Sequence, residues 1–375
     1  MAVTLPSIHT ALKILGSNNV AVSENIPLPV LQPSDILVRV ACVSINHVDA
    51  KSADMSPSPG ATSGTDFSGV VVGIGSDVSK DSFRSTNGMQ PVQVGDRVFG
   101  GVFGNNPLRH DNGAFAEYVA VPARLVWHIP DGMDFSTAST LGAAVATVGL
   151  SLFQYMQLPM PTYPGTETAG NGPFVLVYGG GTATGAMAIQ VLKIAGFRPI
   201  TTCSPASSAH ATELGATATF DYRSPTCGAE LREYSGDTLS LALDCITDTA
   251  SMNICYEALG SAGGRYVALD SFPLRAHTRR SVVPDWVCTY SQFGHPIAWA
   301  APYNLEARPE DLLTAEAWYV IAQKLMNRGL IAPHPKEERQ GGLAAIGEGM
   351  ESVRRGQIKG RKLVYRISNE LCAVA

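Results

Sequence analysis

The segment Val175–Ala186, with the sequence VLVYGGGTATGA, joins a short apolar run to a cluster of glycines. A strand that runs through such a cluster into a helix is typical of a phosphate site, because the first N–H groups of the helix are free to bind an anion. The dinucleotide fingerprint G-x-G-x-x-G is incomplete, since Thr184 occupies its third glycine position. Gly185 still permits close packing of the helix, and Thr182 and Thr184 add hydroxyl donors. The pattern favours nucleotide binding over the alternative, a glycine turn without a ligand.

The next strand of this pattern distinguishes NADP from NAD. An NAD site usually ends that strand with Asp or Glu, which binds the ribose 2′-hydroxyl. Here residues 201–208 read TTCSPASS, with no carboxylate and with hydroxyls at Ser204 and Ser207. The following strand end adds Tyr222 and Arg223, and we expect no repelling charge there. The sequence therefore predicts NADPH, with a surface turn as the alternative interpretation of Tyr222 and Arg223.

The residues before the glycine cluster predict a β-rich domain. Short apolar segments separated by Gly and Asp are typical of a small barrel or a partly open sheet. The predicted strands cover residues 35–45, 66–78, 94–103 and 113–121. Residues 160–173 are rich in Pro, Gly and Thr and predict a surface linker or loop.

After that loop, strands alternate with spacers of helix length. The predicted strands cover 174–178, 198–203, 216–222, 239–246 and 263–270, with a helix over Thr184–Ala195. This alternation predicts an α/β fold with a doubly wound parallel sheet. A helix from about 310 ends at Gly329, and a last strand at 362–367 is expected to return to the first domain. The predicted domains are 1–150 with 315–375, and 151–314.

Composition restricts the class of protein. The chain has 375 residues, of which 45% are hydrophobic and 16% are charged. Its net charge of −5 argues against binding to nucleic acid, which is itself negatively charged. The first residues do not indicate a secretory signal, and the apolar run Leu141–Phe153 is expected to be too short to span a membrane. Seven dispersed cysteines without a C-x-x-C pair indicate free thiols. The sequence predicts a cytoplasmic protein that binds neither nucleic acid nor membrane.

The order of motifs resembles the medium-chain dehydrogenase/reductase superfamily over nearly the whole chain. The matching segments read GTDFSGVVVGIGSDV, VGDRVFG and GAFAEY, followed by the glycine cluster. This resemblance implies a GroES-like catalytic domain followed by a Rossmann domain. Members with a catalytic zinc carry Cys and Gly-His-Glu where this chain has Asn46 and Gly64-Thr65-Asp66, and Cys42 is the only cysteine before residue 200. We therefore predict no metal site.

A closer resemblance is to the trans-acting enoyl reductases of fungal polyketide pathways. It is carried by VYGGGTATGAMAIQVLKIAGFRPITTCSP, FDYR, LALDCIT, AGGRYVAL and VRRGQIKGRKLV, and the family's glycine loop also has Thr at position 184. The family implies NADPH-dependent reduction of an α,β-unsaturated acyl thioester. The thioester would be carried by the acyl carrier domain of a highly reducing polyketide synthase or of a synthase–peptide synthetase hybrid.

This resemblance also implies where cofactor and substrate bind. The implied cofactor contacts are Val48, Asp49, Ala50, Lys51, Gly181, Thr182, Ala183, Thr184, Ser204, Pro205, Ala206, Ser207, Tyr222, Leu269, Asp270, Ile358 and Lys359. The implied acyl-pocket residues are Thr147, Val148, Gly149, Thr289, Tyr290, Ser291, Gln292 and Phe293. The chain departs from the family pattern at Asp270, where a neutral amide suits the nicotinamide better, and at Ala206-Ser207.

Enoyl reduction requires stabilisation of an enolate oxygen and a proton for Cα, besides the hydride. No tyrosine in the chain has a lysine four residues later, so the pair used by short-chain reductases is absent. Lys51 is the cation that we expect near the nicotinamide, either helping to stabilise or protonate the enolate or binding only ribose or phosphate. Asn46 and Thr147 are expected to position the thioester. The residues do not identify the proton donor to Cα.

Other interpretations stay open at this stage. The chain could reduce free quinones or alkenals, or it could be a non-catalytic assembly protein that binds the cofactor. The basic residues between 354 and 366 would form either a docking surface for an acidic carrier protein or a solvated face. The Pro-rich stretch 284–309 disfavours dimerisation through an edge strand, so a monomer is an open alternative.

Overall fold

The structure is a computed structural model that describes residues 5–162 and 172–373. The part of the predicted loop at 163–171 lies outside these residues. The strands are β1 (Ile8–Gly16), β2 (Asn19–Pro27), β3 (Asp35–Ser44), β4 (Asp66–Ile74), β5 (Arg97–Gly101), β6 (Tyr118–Pro122), β7 (Val126–His128), β8 (Phe174–Tyr178), β9 (Arg198–Cys203), β10 (Ala218–Asp221), β11 (Leu241–Asp244), β12 (Gly264–Ala268), β13 (Val282–Trp286), β14 (Lys336–Arg339) and β15 (Lys362–Arg366).

Helices connect and cover these strands. They are α1 (His47–Met55), α2 (Phe83–Thr86), α3 (Phe135–Ala138), α4 (Gly142–Gly149), α5 (Ala183–Ile194), α6 (Pro205–Glu213), α7 (Cys227–Tyr234), α8 (Thr249–Ala258), α9 (Pro309–Asn327), α10 (Gly342–Arg354) and α11 (Asn369–Ala373). A π-helical segment, Leu150–Tyr155, continues α4.

The chain forms two compact units. The first unit comprises the chain up to Ala146 together with the chain from Phe293 onward, and the second unit is Thr147–Gln292. The domain boundaries predicted from the sequence differ from this division mainly over residues 293–314, and they stay a prediction.

The first unit is built on antiparallel strands. Its seven-stranded sheet includes the order β14-β15-β3-β4-β5-β7, with β6 paired to β3, and the hairpin β1-β2 lies beside it. The last strand, β15, pairs antiparallel with β3, so it returns to the first unit as expected. Apolar side chains from these strands, among them Phe67 and Tyr365, form a core that is almost free of solvent, together with Phe115 from the chain before β6. The strands β1, β2, β7 and β14 were not predicted; β2 and β14 carry many polar residues, and β7 has only three residues.

The second unit contains one six-stranded sheet in the order β10-β9-β8-β11-β12-β13. Every neighbouring pair in it is parallel. This is the order of a Rossmann fold, which confirms the predicted doubly wound sheet. In such a sheet the carboxyl ends of the strands share one edge, and the loops at that edge bind ligands.

The apolar run near residue 141 belongs to a longer helical stretch than the sequence indicated. The stretch Phe135–Tyr155 has 21 residues, which is enough by length and composition to cross a membrane. The expectation that the run Leu141–Phe153 is too short to span a membrane is therefore wrong as far as the length of the helical stretch is concerned. Within its most apolar window, however, 83% is buried inside the protein, as in a helix that belongs to a folded core.

Candidate functional site

The glycine cluster forms a tight turn between β8 and α5. Gly179 has a φ of +92°, in the left-handed region that favours glycine. The N–H groups of Gly179 and Gly180 both donate to the carbonyl oxygen of Thr202 on β9, at 3.1 and 2.9 Å. A Cβ atom on Gly185 would lie 2.3 Å from the carbonyl oxygen of Gly179. The loop and the first turn of α5 therefore pack backbone against backbone, as predicted.

The N-terminus of α5 has the donors that an anion requires. Thr182 is the N-cap, and its hydroxyl accepts a hydrogen bond of 3.0 Å from the N–H of Gly185. The N–H groups of Gly181, Ala183 and Thr184 have no acceptor among the described residues. Because these residues are only partly buried, a phosphate could reach their N–H groups.

The end of β9 lies beside this loop. A Cβ atom on Gly181 would lie 2.9 Å from the hydroxyl oxygen of Ser207, so this hydroxyl is next to the glycine turn. The hydroxyl oxygens of Ser204 and Ser207 are 3.3 Å apart, and both residues are half-buried. Pro205 and Ala206 are exposed at the start of α6. The structure thus brings the first two groups of predicted cofactor residues together.

A carboxylate at the next strand end was overlooked in the sequence. Asp221, the last residue of β10, is level with Cys203 of β9. Its carboxylate accepts hydrogen bonds of 2.9 and 2.8 Å from the guanidinium of Arg223. Tyr222 is 43% exposed, with its ring centroid 6.5 Å from that of Tyr178. The expectation that no repelling charge lies here is therefore wrong, although Arg223 neutralises the charge of Asp221.

The ends of β11 and β12 complete this edge of the sheet. The N–H of Leu269 donates to the carbonyl oxygen of Asp244 at 3.1 Å. Asp270 follows, and one of its carboxylate oxygens accepts from the N–H of Ser271 at 2.8 Å. Both residues are partly buried, so they remain accessible to a ligand at the edge where the glycine turn also lies.

The two segments predicted for the acyl pocket meet within the second unit. The hydroxyl oxygens of Thr147 and Thr289 are 2.7 Å apart, and the hydroxyl of Ser151 donates to the carbonyl oxygen of Thr147 at 2.7 Å. Of the remaining predicted residues, Val148, Gly149, Tyr290, Ser291 and Gln292 are buried, and Phe293 is half-buried in the first unit.

Lys51 lies on α1 of the first unit with a largely exposed side chain. Its ammonium nitrogen lies over the ring of Tyr303, 5.4 Å from the centroid, a distance at which a cation and an aromatic ring attract each other. Desolvation of this nitrogen lowers the pKa of Lys51. Among its neighbours in the predicted cofactor segment, Val48 is half-buried and Ala50 is buried.

Two further predicted cofactor residues follow α10 in the first unit. Ile358 packs partly against the apolar core, and Lys359 is exposed. Their role in binding the cofactor stays a prediction.

Asn46 is the N-cap of α1 and belongs to a buried polar cluster. Its amide nitrogen donates to Asp66 Oδ2 at 2.9 Å, and its amide oxygen accepts from the ammonium of Lys362 at 2.9 Å. Lys362 also donates to Asp66 Oδ2 at 2.5 Å, and the Lys362 and Asp66 side chains are 5% and 0% exposed. We call Asn46, Asp66 and Lys362 the amide cluster.

Asp49, in the first turn of α1, has both carboxylate oxygens occupied. Oδ2 accepts from the backbone N–H of Asn46 at 2.7 Å, and Oδ1 accepts from the hydroxyl of Thr65 at 2.7 Å. Burial raises the pKa of Asp49 to about 7, against the opposing effect of these two hydrogen bonds. Its side chain thus connects α1 to the chain before β4.

These residues do not fit a catalytic zinc. The positions that bear ligands in zinc-dependent members hold an amide at Asn46 and a hydroxyl at Thr65, where thiolate and imidazole are needed. The ammonium of Lys362 already lies between Asn46 and Asp66. Within residues 5–162 and 172–373 there is also no group of three His, Cys, Asp or Glu side chains able to hold a metal.

Carboxylates neutralise most of the basic stretch near the C-terminus. Arg354 pairs with Asp54 at 2.7 Å, and the other pairs are Arg355–Glu351, Arg361–Glu337, Lys362–Asp66 and Arg366–Glu338. Arg355, Arg361 and Arg366 remain exposed, so the docking surface stays a prediction, whereas Lys362 is buried and cannot belong to it. A lysine at the start of an apolar strand was the available sign that it would be buried.

Two parts of the chain match known protein families. Residues 32–131 match the alcohol dehydrogenase GroES-like domain, and residues 183–273 match the family described as zinc-binding dehydrogenase.

Curated relatives match the chain over its whole length. It is 89% identical to trans-enoyl reductase iccB of Talaromyces variabilis, covering 100% of both chains. It is 67% identical to trans-enoyl reductase iliB of Neonectria sp. (strain DH2), covering 99% of both. Among solved structures, an alcohol dehydrogenase superfamily protein from Novosphingobium aromaticivorans has the same fold, with a TM-score of 0.74 and 22% identity over 96% of this chain and 100% of that one.

Proposed function

Because the chain belongs to the fungal trans-enoyl reductases, within the medium-chain dehydrogenase/reductase superfamily of pyridine-nucleotide-dependent oxidoreductases, we propose its specific reaction as follows. It uses NADPH to reduce the α,β-double bond of an acyl thioester. The thioester is carried by the acyl carrier domain of a partner polyketide synthase. The observation that carries this proposal is the 89% identity to a trans-enoyl reductase along the entire chain.

The end of β9 supports NADPH over NADH. It offers the hydroxyls of Ser204 and Ser207 next to the glycine turn and has no carboxylate to bind a free ribose 2′-hydroxyl. Asp221 would repel a 2′-phosphate, but Arg223 holds its charge in a salt bridge and brings a cation to the same place.

The second unit fits a dinucleotide. The unpaired N–H groups at the start of α5 would bind its pyrophosphate. Because Gly181 has no side chain, the space between the glycine turn and the Ser207 hydroxyl stays free for the cofactor. When bound, NADPH supplies the hydride for Cβ of the substrate.

The chain's own residues would orient the thioester and stabilise charge on its oxygen. Asn46 has one amide N–H left to donate, and Thr147 has a hydroxyl shared with Thr289. Both are proposed to position the thioester. Lys51 is proposed to bind the nicotinamide ribose and to stabilise the enolate oxygen with its ammonium group.

All seven cysteines are free thiols, which supports the further proposal of a reducing, cytoplasmic location.

The test is an assay of purified protein with a crotonyl thioester, a quinone and an alkenal, each with NADPH and with NADH. We expect loss of nicotinamide absorbance with the thioester and NADPH, and a kcat/KM at least about tenfold lower with NADH. The same crotonyl group attached to the acyl carrier domain of a fungal highly reducing polyketide synthase should be reduced with a higher kcat/KM than on pantetheine.

Each alternative function has its own result in this assay. Rapid oxidation of NADPH with quinone or alkenal, and none with the thioester, would replace the proposal by a reductase of free small molecules. Binding of NADPH without turnover of any substrate would favour a non-catalytic assembly protein.

A further inference from the structure

Lys362 is a buried cation whose donors are all engaged. An ammonium group has three N–H donors, and those of Lys362 reach Asp66 Oδ2 at 2.5 Å, Asn46 Oδ1 at 2.9 Å and the carbonyl oxygen of Thr140 at 3.2 Å. With no N–H left over, Lys362 cannot itself bind a substrate oxygen. Its effect on the reaction must therefore pass through its partners.

Asp66 is equally saturated. Besides Lys362 and Asn46, its carboxylate accepts from the N–H of Ala143, in the first turn of α4, at 2.6 Å. The hydroxyl of Ser44 lies 3.2 Å from Asp66 Oδ2 and is 2.8 Å from the carbonyl oxygen of Ser139. A buried carboxylate with this many donors keeps its orientation. The pair of charges therefore forms a fixed frame around the side chain of Asn46.

This frame determines which way the amide of Asn46 points. Its oxygen faces the ammonium of Lys362, and its nitrogen faces the carboxylate of Asp66. A rotation by half a turn would place the NH₂ group against the ammonium and the oxygen against the carboxylate, which are two repulsive contacts. The charges thus select a single orientation.

In that orientation one N–H of Asn46 has no acceptor among the described residues, while the side chain is only half-buried. We propose that Lys362 and Asp66 are positioning residues that hold the Asn46 amide so that this N–H points to the carbonyl oxygen of the thioester. The inference rests on the proposed function of the protein.

A double-mutant cycle tests this. Lys362→Met with Asp66→Asn removes both charges, and the new amide keeps an acceptor for the N–H of Ala143. We expect kcat for the crotonyl thioester to fall about tenfold or more, while KM for NADPH stays within about twofold. In an Asn46→Ala background, the same two substitutions should lower kcat by less than about twofold, because the residue through which they act is gone.

The matched control is Arg124→Met with Asp81→Asn, which removes another ion pair of the first unit, with an N–O distance of 2.5 Å. Its kcat should stay within about twofold of the unmodified protein. Losses that add fully in the Asn46→Ala background would overturn the inference, since they would show a merely structural role. An unchanged kcat in the protein with Lys362→Met and Asp66→Asn, which we call the charge-free variant, would overturn the inference as well.

The inference and the proposed function fail in different ways. If the protein reduces only quinone or alkenal, the proposed function fails, and the same cycle is run on that carbonyl substrate.

A second measurement needs no turnover. NMR spectra are recorded of protein labelled with ¹⁵N in asparagine, and the signal of the Asn46 side chain is assigned from its loss in Asn46→Asp. Its two amide protons should exchange with solvent at different rates, and this difference should vanish in the charge-free variant. Equal rates in both proteins would overturn the inference.

Discussion

At the scale of single residues, the chemistry of the first unit lies around the start of α1. Asn46 is the N-cap of this helix, Asp49 is buried in its first turn, and Lys51 extends from its surface toward the ring of Tyr303. These three side chains differ in burial and in chemical type: the amide of Asn46 is half-buried, the carboxyl group of Asp49 is buried, and the ammonium group of Lys51 belongs to an exposed residue. Substitution of each should give a different signature.

Replacing Lys51 with alanine should weaken NADPH binding and slow turnover. A charge-assisted hydrogen bond contributes about 1.5–3 kcal/mol, so KM for NADPH should rise about tenfold or more, and kcat at saturating NADPH should fall by a similar factor. Steady-state kinetics with a crotonyl thioester measure both. Lys80→Ala, at an exposed lysine paired with Asp77 in the same unit, is the control and should change neither constant. A normal kcat at saturation would contradict a role of Lys51 in enolate stabilisation.

Asp49 should make stability depend on pH. Because burial raises its pKa to about 7 in the folded protein, the folded state keeps a proton that the unfolded state releases near pH 4. The stabilising contribution is fully present below about pH 4 and is lost as pH rises through about 7. Relative to Asp49→Asn, the unmodified protein should lose on the order of 4 kcal/mol of unfolding free energy between about pH 4 and 8.

Urea denaturation of both proteins across this pH range measures the difference. A difference in unfolding free energy that stays constant with pH would show that Asp49 is ionised throughout, with its charge stabilised by Asn46 and Thr65.

At the scale of elements, the second unit gathers its candidate residues from loops that are distant in sequence. The glycine turn after β8, Ser204 after β9, Tyr222 after β10 and Asp270 after β12 all follow strands of one parallel sheet. Because parallel strands end at the same edge, the strand order alone brings these loops to one side. The close backbone packing of α5 against the turn then aligns the free N–H groups.

Gly185→Ala should disrupt that alignment. The new Cβ atom would lie 2.3 Å from the carbonyl oxygen of Gly179, so the turn and α5 must move apart. Overpacking of this kind costs about 1–3 kcal/mol, and NADPH affinity should fall by about tenfold or more. Titration of NADPH fluorescence gives the Kd.

Gly347→Ala is the matched control for this substitution. Gly347 lies within α10, where a Cβ atom would meet only Val20, at 3.4 Å, and alanine has the higher helix propensity. We expect Kd for NADPH to be unchanged and stability to be equal or higher. An unchanged Kd for Gly185→Ala as well would mean that the N–H groups of α5 do not bind the cofactor.

At the scale of the whole molecule, the first unit is assembled from both ends of the chain. The strand β15 lies inside its seven-stranded sheet between β14 and β3. It contributes Leu363 and Tyr365, each 1% exposed, to the core. It also begins with Lys362, the partner of Asp66. We therefore expect the first unit to need β15 in order to fold.

Truncation after Gly360 should unfold the first unit. Burial of an apolar side chain contributes about 1.5–3 kcal/mol, and a buried carboxylate left without its partner costs about 3–5 kcal/mol, which together approach the stability of a typical domain. Truncation after Ile367 is the control, since it removes α11 but leaves β15 in place. Circular dichroism and thermal denaturation compare the two. Cooperative unfolding of the shorter protein at the normal temperature would contradict this role of β15.

Some features of this protein follow from the sequence alone. The glycine turn, the alternation of strands and helices in the second unit and the missing zinc ligands are all readable from residues close together in the chain. These patterns are local, because turns need glycine at particular positions and because burial imposes a short period on strands and helices.

Other features were decided only by the tertiary structure. Lys362 meets Asn46, 316 residues earlier in the chain, Lys51 meets the ring of Tyr303, and Asp221 comes level with the end of β9. None of these contacts has a local signal, since the tertiary fold brings together residues that the sequence separates. Whether a charged side chain is solvated or buried likewise depends on the partner that the fold supplies, and for Lys362 that partner is Asp66.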